Sequence, residues 1–273
     1  RPASVGETKL KRVGVVGAGF MGAGVAYVAA NAGFEVVLVD RDLETAEKGK
    51  AYSHKLMTDQ VMKGRAKTAD RDALLSRITA ADDYAALAGC DLVVEAVFED
   101  PKVKAEVIAK VEAAVGETAI FGSNTSTLPI SGLAKASARP EKFVGIHFFS
   151  PVEKMMLVEI IMGEKTGDEA LAVALDFVRA IKKTPIVVND ARGFFANRCV
   201  GAYVLEGHKM LVEGVPPAMI ENAGKAAGMP VGPLSLNDEV ALDLALKIVK
   251  ATEAQLGAGA IDPDQKALLV GMV

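Results

Sequence analysis

The chain has 273 residues, 51 % of them hydrophobic and 24 % charged, with a net charge of −4. That is the mix of a soluble globular protein with room for one large domain or two moderate ones. Acidic and basic residues are interspersed without a basic stripe, which argues against nucleic acid as a partner, and no apolar run approaches the roughly 18 residues of a membrane span.

In chain order, short β-branched runs alternate with longer helical patterns until about position 185, the sign of a parallel sheet with crossover helices. Strands are expected at 12–16, 35–40, 78–80, 92–96, 119–123, 144–148, 157–161 and 186–188. Several are continuous apolar runs, as strands buried on both faces must be. Residues 43–63 and 70–75 read as helices broken near Gly64, a helical hairpin projecting from the sheet edge. After Asp190 the strand pattern stops. Helices are expected at 193–214 and 219–227, a loop at Pro230 and Pro233, and a further helix capped by Asn237 or Asp238 and running to Ala254. The two cysteines, Cys90 and Cys199, lie far apart and offer neither a disulfide framework nor a metal cluster. No metal is expected, and a reducing compartment fits, the cytoplasm if the source is bacterial. The chain opens on Arg1 rather than Met and closes on an apolar run over 268–273, which reads as a piece of something longer.

The clearest motif is Gly17-Ala18-Gly19-Phe20-Met21-Gly22, placed after the first strand and opening a helix. In a dinucleotide fold Gly17 permits the tight turn, Gly19 lets the backbone approach a pyrophosphate, and Gly22 lets the helix pack close to the strand. The second strand then ends on Asp40, the position of the acid that accepts hydrogen bonds from the adenosine ribose. A carboxylate there repels the 2′-phosphate of NADP, so NAD is the expected cofactor, although neighbouring Arg41 could neutralise a phosphate. The fold class expected is therefore α/β: a Rossmann-type doubly wound sheet with a hairpin insertion over 1–189, followed by a smaller all-α domain over 190–273.

Three histidines are present. His54 reads as a solvated residue of the hairpin, and His208 as a helix-surface or satisfied core residue. His147 differs because it lies at the end of a strand, where open α/β sheets bind ligands. Glu159 interrupts the apolar run Met156-Leu157-Val158-Glu159-Ile160-Ile161, and a buried carboxylate is costly unless paired. If the two strands are neighbours, Glu159 orients the His147 ring and favours its protonated form. Such a pair suits removal of a hydroxyl proton while hydride leaves the same carbon.

Several segments in order carry a resemblance: GAGFMGAGVA from Gly17, VVEAVFEDPKVK from Val93, SNTSTLPI from Ser123, RPEKFVGIHFFSPVEKMMLVEII from Arg139, and the stretch 193–198. Over essentially its whole length the chain resembles the L-3-hydroxyacyl-CoA dehydrogenase family, most of all the dehydrogenase part of multifunctional fatty-acid oxidation enzymes. The resemblance implies NAD-dependent oxidation of an L-3-hydroxyacyl-CoA in β-oxidation, with His147 as base and Glu159 as its partner. It adds Ser126, otherwise a turn residue, as the hydroxyl that meets the substrate's 3-oxygen. It also adds Asn197, otherwise a helix-surface amide, for the oxygen or thioester. To the cofactor site it adds Met21, Val97, Glu99, Lys104 and Ser150, the last standing where many members have Asn. The hairpin corresponds to a coenzyme A clamp with Ser53 and Lys63 as contacts. A homodimer or a place in a larger multifunctional complex is implied, and the helical domain is shorter than the family's. Two rivals share the cofactor domain. A 3-hydroxyisobutyrate-type dehydrogenase needs a catalytic lysine, for which only Lys209 and Lys225 stand near. A catalytically silent NAD-binding fragment would have no use for the intact set of Ser126, His147, Glu159 and Asn197.

Overall fold

A computed structural model describes residues 1–240, 242–257 and 259–273. The chain divides into two compact units, Arg1–Phe195 and Ala196–Val273.

The first unit is built on one sheet of eight strands: β1 (Arg12–Val16), β2 (Glu35–Val39), β3 (Ile78–Ala81), β4 (Leu92–Glu95), β5 (Ile120–Ser123), β6 (Phe143–Phe148), β7 (Leu157–Met162) and β8 (Thr184–Asn189). Their order is β3-β2-β1-β4-β5-β6-β7-β8. Every neighbouring pair is parallel except β6 and β7. The order reverses between β1 and β4, and the crevice at the carboxyl ends of those strands is where a doubly wound sheet receives its ligand. β1, β4 and β6 are buried almost throughout, which explains their unbroken apolar sequences. β8 differs: it closes one edge, alternates between exposed and half-buried residues and carries Pro185. A missing N–H is tolerated at an edge, and the weak alternation is why the sequence reveals only its middle.

The helices α1 (Phe20–Asn31), α2 (Leu43–Met62), α3 (Thr68–Ser76), α4 (Pro101–Ala114), α5 (Ile130–Leu133) and α6 (Asp168–Ala180) cover the sheet. Val25, Ala29, Val173 and Phe177 of α1 and α6 pack with Val13, Val15, Leu92 and Ile146 on one face. Val107, Ile108, Ile130 and Leu133 of α4 and α5 pack with Val16, Val93 and Phe121 on the other. Each large side chain so buried contributes roughly 1.5–3 kcal/mol. Asp42 starts α2 by accepting the Thr45 N–H, and Asp100 starts α4 ahead of Pro101, both ordinary helix-opening chemistry. The expected hairpin is α2 and α3. It does not stand free, however: Ala46, Gly49, Ser53 and Met57 of α2 are buried, and Phe20 of α1 meets Tyr52 edge to face at 5.8 Å.

The second unit contains α7 (Ala196–Val212), α8 (Pro217–Ala226), α9 (Pro233–Val240), α10 (Leu242–Leu256) and α11 (Pro263–Met272). Two expectations need correction here. α7 does not begin at Gly193, because Gly193 (φ 71°) and Phe194 (φ 50°) are left-handed and cannot open a right-handed helix. The helix expected from Asn237 or Asp238 begins instead at Pro233, and Asn237 is buried within it. Glu221 of α8 supplies the cap by accepting the N–H groups of Leu234 and Ser235, donors that a helix start leaves orphaned. That expected helix also crosses position 241, which lies outside the described residues. α11 was not foreseen, although Asp262-Pro263 carries the start signal: Asp262 accepts the N–H groups of Asp264 and Gln265. Among the described residues no helix is long and apolar enough to cross a membrane.

Candidate active site

The glycine motif turns directly from β1 into α1. Gly17 has φ 95°, and a Cβ there would meet the Ala96 carbonyl at 2.6 Å. A Cβ on Gly22 would fall 1.7 Å from the Gly17 oxygen, so neither position admits a side chain. A Cβ on Gly19 would touch nothing within 4 Å, which leaves open space above the turn. No side chain caps the start of α1 and its first turn carries no acid. An open turn leading to an uncapped helix N-terminus is a cradle for a pyrophosphate, so the residues fit a dinucleotide. Met21, on the first turn of α1, is half-buried. Asp40 follows β2, and its carboxylate accepts the N–H of Ala18 at 2.6 Å and of Arg41 at 2.7 Å. Arg41, the residue that could favour a phosphate, turns its Nε to Asp42 at 3.2 Å.

A buried charge cluster lies at the ends of β4 and β5. Glu95 pairs in register with Ser123. Its carboxylate accepts the Ser123 hydroxyl at 2.8 Å, the Val97 N–H at 2.8 Å and the Lys104 ammonium at 2.7 Å. Lys104 also meets Glu99 at 3.2 Å. One Glu99 oxygen accepts the N–H groups of Ser126 and Thr127 and the hydroxyl of Thr125. The Ser126 hydroxyl stands 3.5 Å from the same oxygen. Burial alone pushes the Glu99 carboxyl up, but Thr125, Lys104 and the two backbone N–H groups together hold it below its ordinary value. The structure thus brings together Val97, Glu99, Lys104 and Ser126. Lys104 is only 1 % exposed and is held between the Glu95 and Glu99 carboxylates.

His147 and Glu159 face each other across the antiparallel β6–β7 pair. Nδ1 lies 2.8 Å from Glu159 Oε2, and the other oxygen accepts the Phe195 N–H at 2.9 Å. A ring whose Nδ1–H donates to a carboxylate presents Nε2 as its basic nitrogen. Phe149 and Phe194 lie against the ring at 4.5 and 5.7 Å between centroids. Phe194 holds this place with φ 50°, a conformation that costs a non-glycine residue about 1–3 kcal/mol and gathers at functional sites. Asn124 accepts the Phe148 N–H at 2.8 Å, tying the Ser126 loop to the end of the His147 strand. The sequence reading missed Glu95, Asn124, Phe149 and Phe194. Ser150 is exposed just beyond β6.

The two coenzyme A contacts separate. Ser53 is fully buried inside α2. Lys63 is exposed on a groove of about 740 Å³ shared with Tyr27, Tyr52, Lys55, Lys154 and Lys183. Lys183 donates to the carbonyls of Val152 and Met155, and burial lowers its pKa from the usual lysine value. Asn197 lies on the first turn of α7, in the second unit. His54 is exposed, as expected. Among the described residues no group of histidines, cysteines and acids could hold a metal ion.

Residues 12–191 match the family model for the 3-hydroxyacyl-CoA dehydrogenase NAD binding domain, and residues 193–273 match that for the C-terminal domain. A fatty acid oxidation complex subunit alpha from Shewanella baltica is 41 % identical over 253 residues, covering 91 % of this chain and 35 % of the relative. The chain thus spans about a third of the length of the curated relatives it matches. The crystal structure of (S)-3-hydroxybutyryl-CoA dehydrogenase from Ralstonia eutropha superposes with a TM-score of 0.89 at 33 % identity, covering 97 % of this chain and 93 % of that one. That of 3-hydroxybutyryl-CoA dehydrogenase from Escherichia coli gives 0.89 at 29 %, covering 97 % and 57 %. With both of its domains matched in order on an NAD-binding sheet, the chain belongs to the 3-hydroxyacyl-CoA dehydrogenase family, enzymes that depend on NAD.

Proposed function

We infer that this chain catalyses the reversible oxidation of an L-3-hydroxyacyl-CoA to the 3-ketoacyl-CoA in fatty-acid oxidation. The observation that carries the reading is the buried His147–Glu159 pair at 2.8 Å. His147 Nε2 takes the proton of the 3-hydroxyl, and Glu159 stabilises the imidazolium that results. General-base assistance of this kind contributes about 10²–10⁴-fold to rate. Bound NAD supplies the acceptor for the hydride lost from C3. The Ser126 hydroxyl holds the reacting oxygen, its loop fixed by Glu99. Glu99 and Asp40 serve the cofactor side, and the position of Asp40 favours NAD over NADP. Ser150 stands close to the nicotinamide in the same reading.

The lysine-lined groove beside α2 supports a coenzyme A thioester, since Lys63 and Lys55 there can meet its phosphates. Asn197 enters through the family resemblance alone. The same holds for assembly as a homodimer or within a larger multifunctional chain, and for a cytoplasmic setting. Loss of NADH absorbance on addition of acetoacetyl-CoA, with NADPH as control, tests the reading directly. Turnover with NADH and little with NADPH is expected. Tight NADH binding with no turnover of any 3-ketoacyl-CoA, short or long, would overturn it.

A further inference from the structure

We propose that Glu95 is a positioning residue of the dehydrogenase site, whose buried negative charge makes the site favour the oxidised, positively charged nicotinamide over the reduced, neutral one.

β4 is apolar until its last residue, and the β4–β5 pairing sets Glu95 beside Ser123. Glu95 is 0 % exposed and Lys104 1 %. Glu95 accepts three hydrogen bonds, from Ser123, Val97 and Lys104, and donates none, which is the pattern of an ionised carboxylate. Glu99 answers the same ammonium from the other side at 3.2 Å and is held in its charged form by Thr125, Ser126 and Thr127. The cluster therefore holds two carboxylates against one ammonium, an excess of one negative charge.

That excess lies at the carboxyl ends of β4 and β5, the side on which a sheet of this topology receives its dinucleotide. Nicotinamide loses its positive charge on reduction. A fixed negative charge nearby therefore stabilises the oxidised form, and little screening occurs where water is excluded. Glu95 also fixes geometry. It divides Lys104 between two acids, and so determines how Glu99 grips the Ser126 loop.

Glu95→Gln removes the charge while its amide oxygen can still accept from Val97 and Lys104. Glu99→Gln removes the other charge of the cluster. Calorimetric titration of each variant and of the unaltered chain with NAD+ and with NADH gives the ratio of the two dissociation constants. Both variants should shift that ratio toward NADH by roughly three- to tenfold, a change that loss of structure alone would not give. A folded Glu95→Gln protein with the unaltered ratio would overturn the proposal. Should Glu95→Gln fail to fold, Glu99→Gln decides, and an unaltered ratio there overturns it equally. An unaltered chain that binds neither nucleotide would overturn it together with the cofactor assignment, so the two failures are told apart.

Discussion

Each of the two units buries one histidine on Nδ1, but with partners of different chemistry. In the sheet unit His147 faces the carboxylate of Glu159 at 2.8 Å. In the helical unit His208 is 3 % exposed, and its Nδ1 accepts from the Gln265 amide at 3.3 Å. A carboxylate favours the charged ring, whereas a neutral amide leaves burial to work against it. For His208 burial wins, and its pKa is lowered. Burial and a hydrogen bond therefore do not by themselves mark a catalytic histidine. The difference lies in a partner that can bear a proton's charge, and in a place at the ligand end of the sheet.

The largest effect expected is on His147. His147→Gln should keep NADH binding and lower turnover by about 10³-fold, whereas His208→Gln should leave turnover within about twofold. Steady-state assays of the pair decide the matter. Equal losses in both variants would erase the distinction just drawn. Glu159→Gln comes next. It keeps a hydrogen-bonding group beside Nδ1 but removes the charge, and an amide can hold the ring in the wrong tautomer. Turnover should fall on the order of 100-fold with little change in the KM for NADH. If Glu159→Gln matched the unaltered enzyme, Glu159 would be no more to His147 than Gln265 is to His208.

Much of this contrast was legible in the sequence. The glycine turn, Asp40 and an acid inside an apolar strand each violate a local rule in a way that points to function. Several strands followed from apolar runs, because strands buried on both faces need them, whereas edge strand β8 showed only its middle. The same rule that singled out Glu159 applies to Glu95, which falls inside the strand expected at 92–96 but one position from its end, where an acid can ordinarily reach water; the structure ends β4 on it and buries it. Its partner Lys104 likewise looked solvated, because helix periodicity does not show that an ammonium points inward between two acids. Ser53 entered through the family resemblance, and its burial within α2 is a tertiary fact that local spacing does not show. The start of α9 depends on Glu221 from another helix, a contact that local spacing cannot reveal. Phe194 owes its place on His147 to a left-handed backbone, which only glycine and asparagine ordinarily announce.

The smallest predicted effect concerns stability and separates the two units by pH. The folded pKa of His208 is lowered by burial from its usual 6.5, so the unfolded state takes up the proton first. The stability that neutral His208 contributes is complete above 6.5 and declines as pH falls from there through the lower folded value. Glu99 in the sheet unit behaves differently, because its pKa is depressed from 4.5 and its contribution is lost only as pH falls below that value. Mild acid should therefore loosen the helical unit while the sheet unit holds. Hydrogen exchange followed peptide by peptide between about pH 7 and pH 5 should show faster exchange in α7 and α11 than in β1 and β4, after correction for the intrinsic rate. His208→Gln should abolish the difference by removing the group that titrates. If acid loosened α7 and α11 equally in that variant, another group would have to carry the effect, and the neutral partner of His208 would not explain how the two histidines differ.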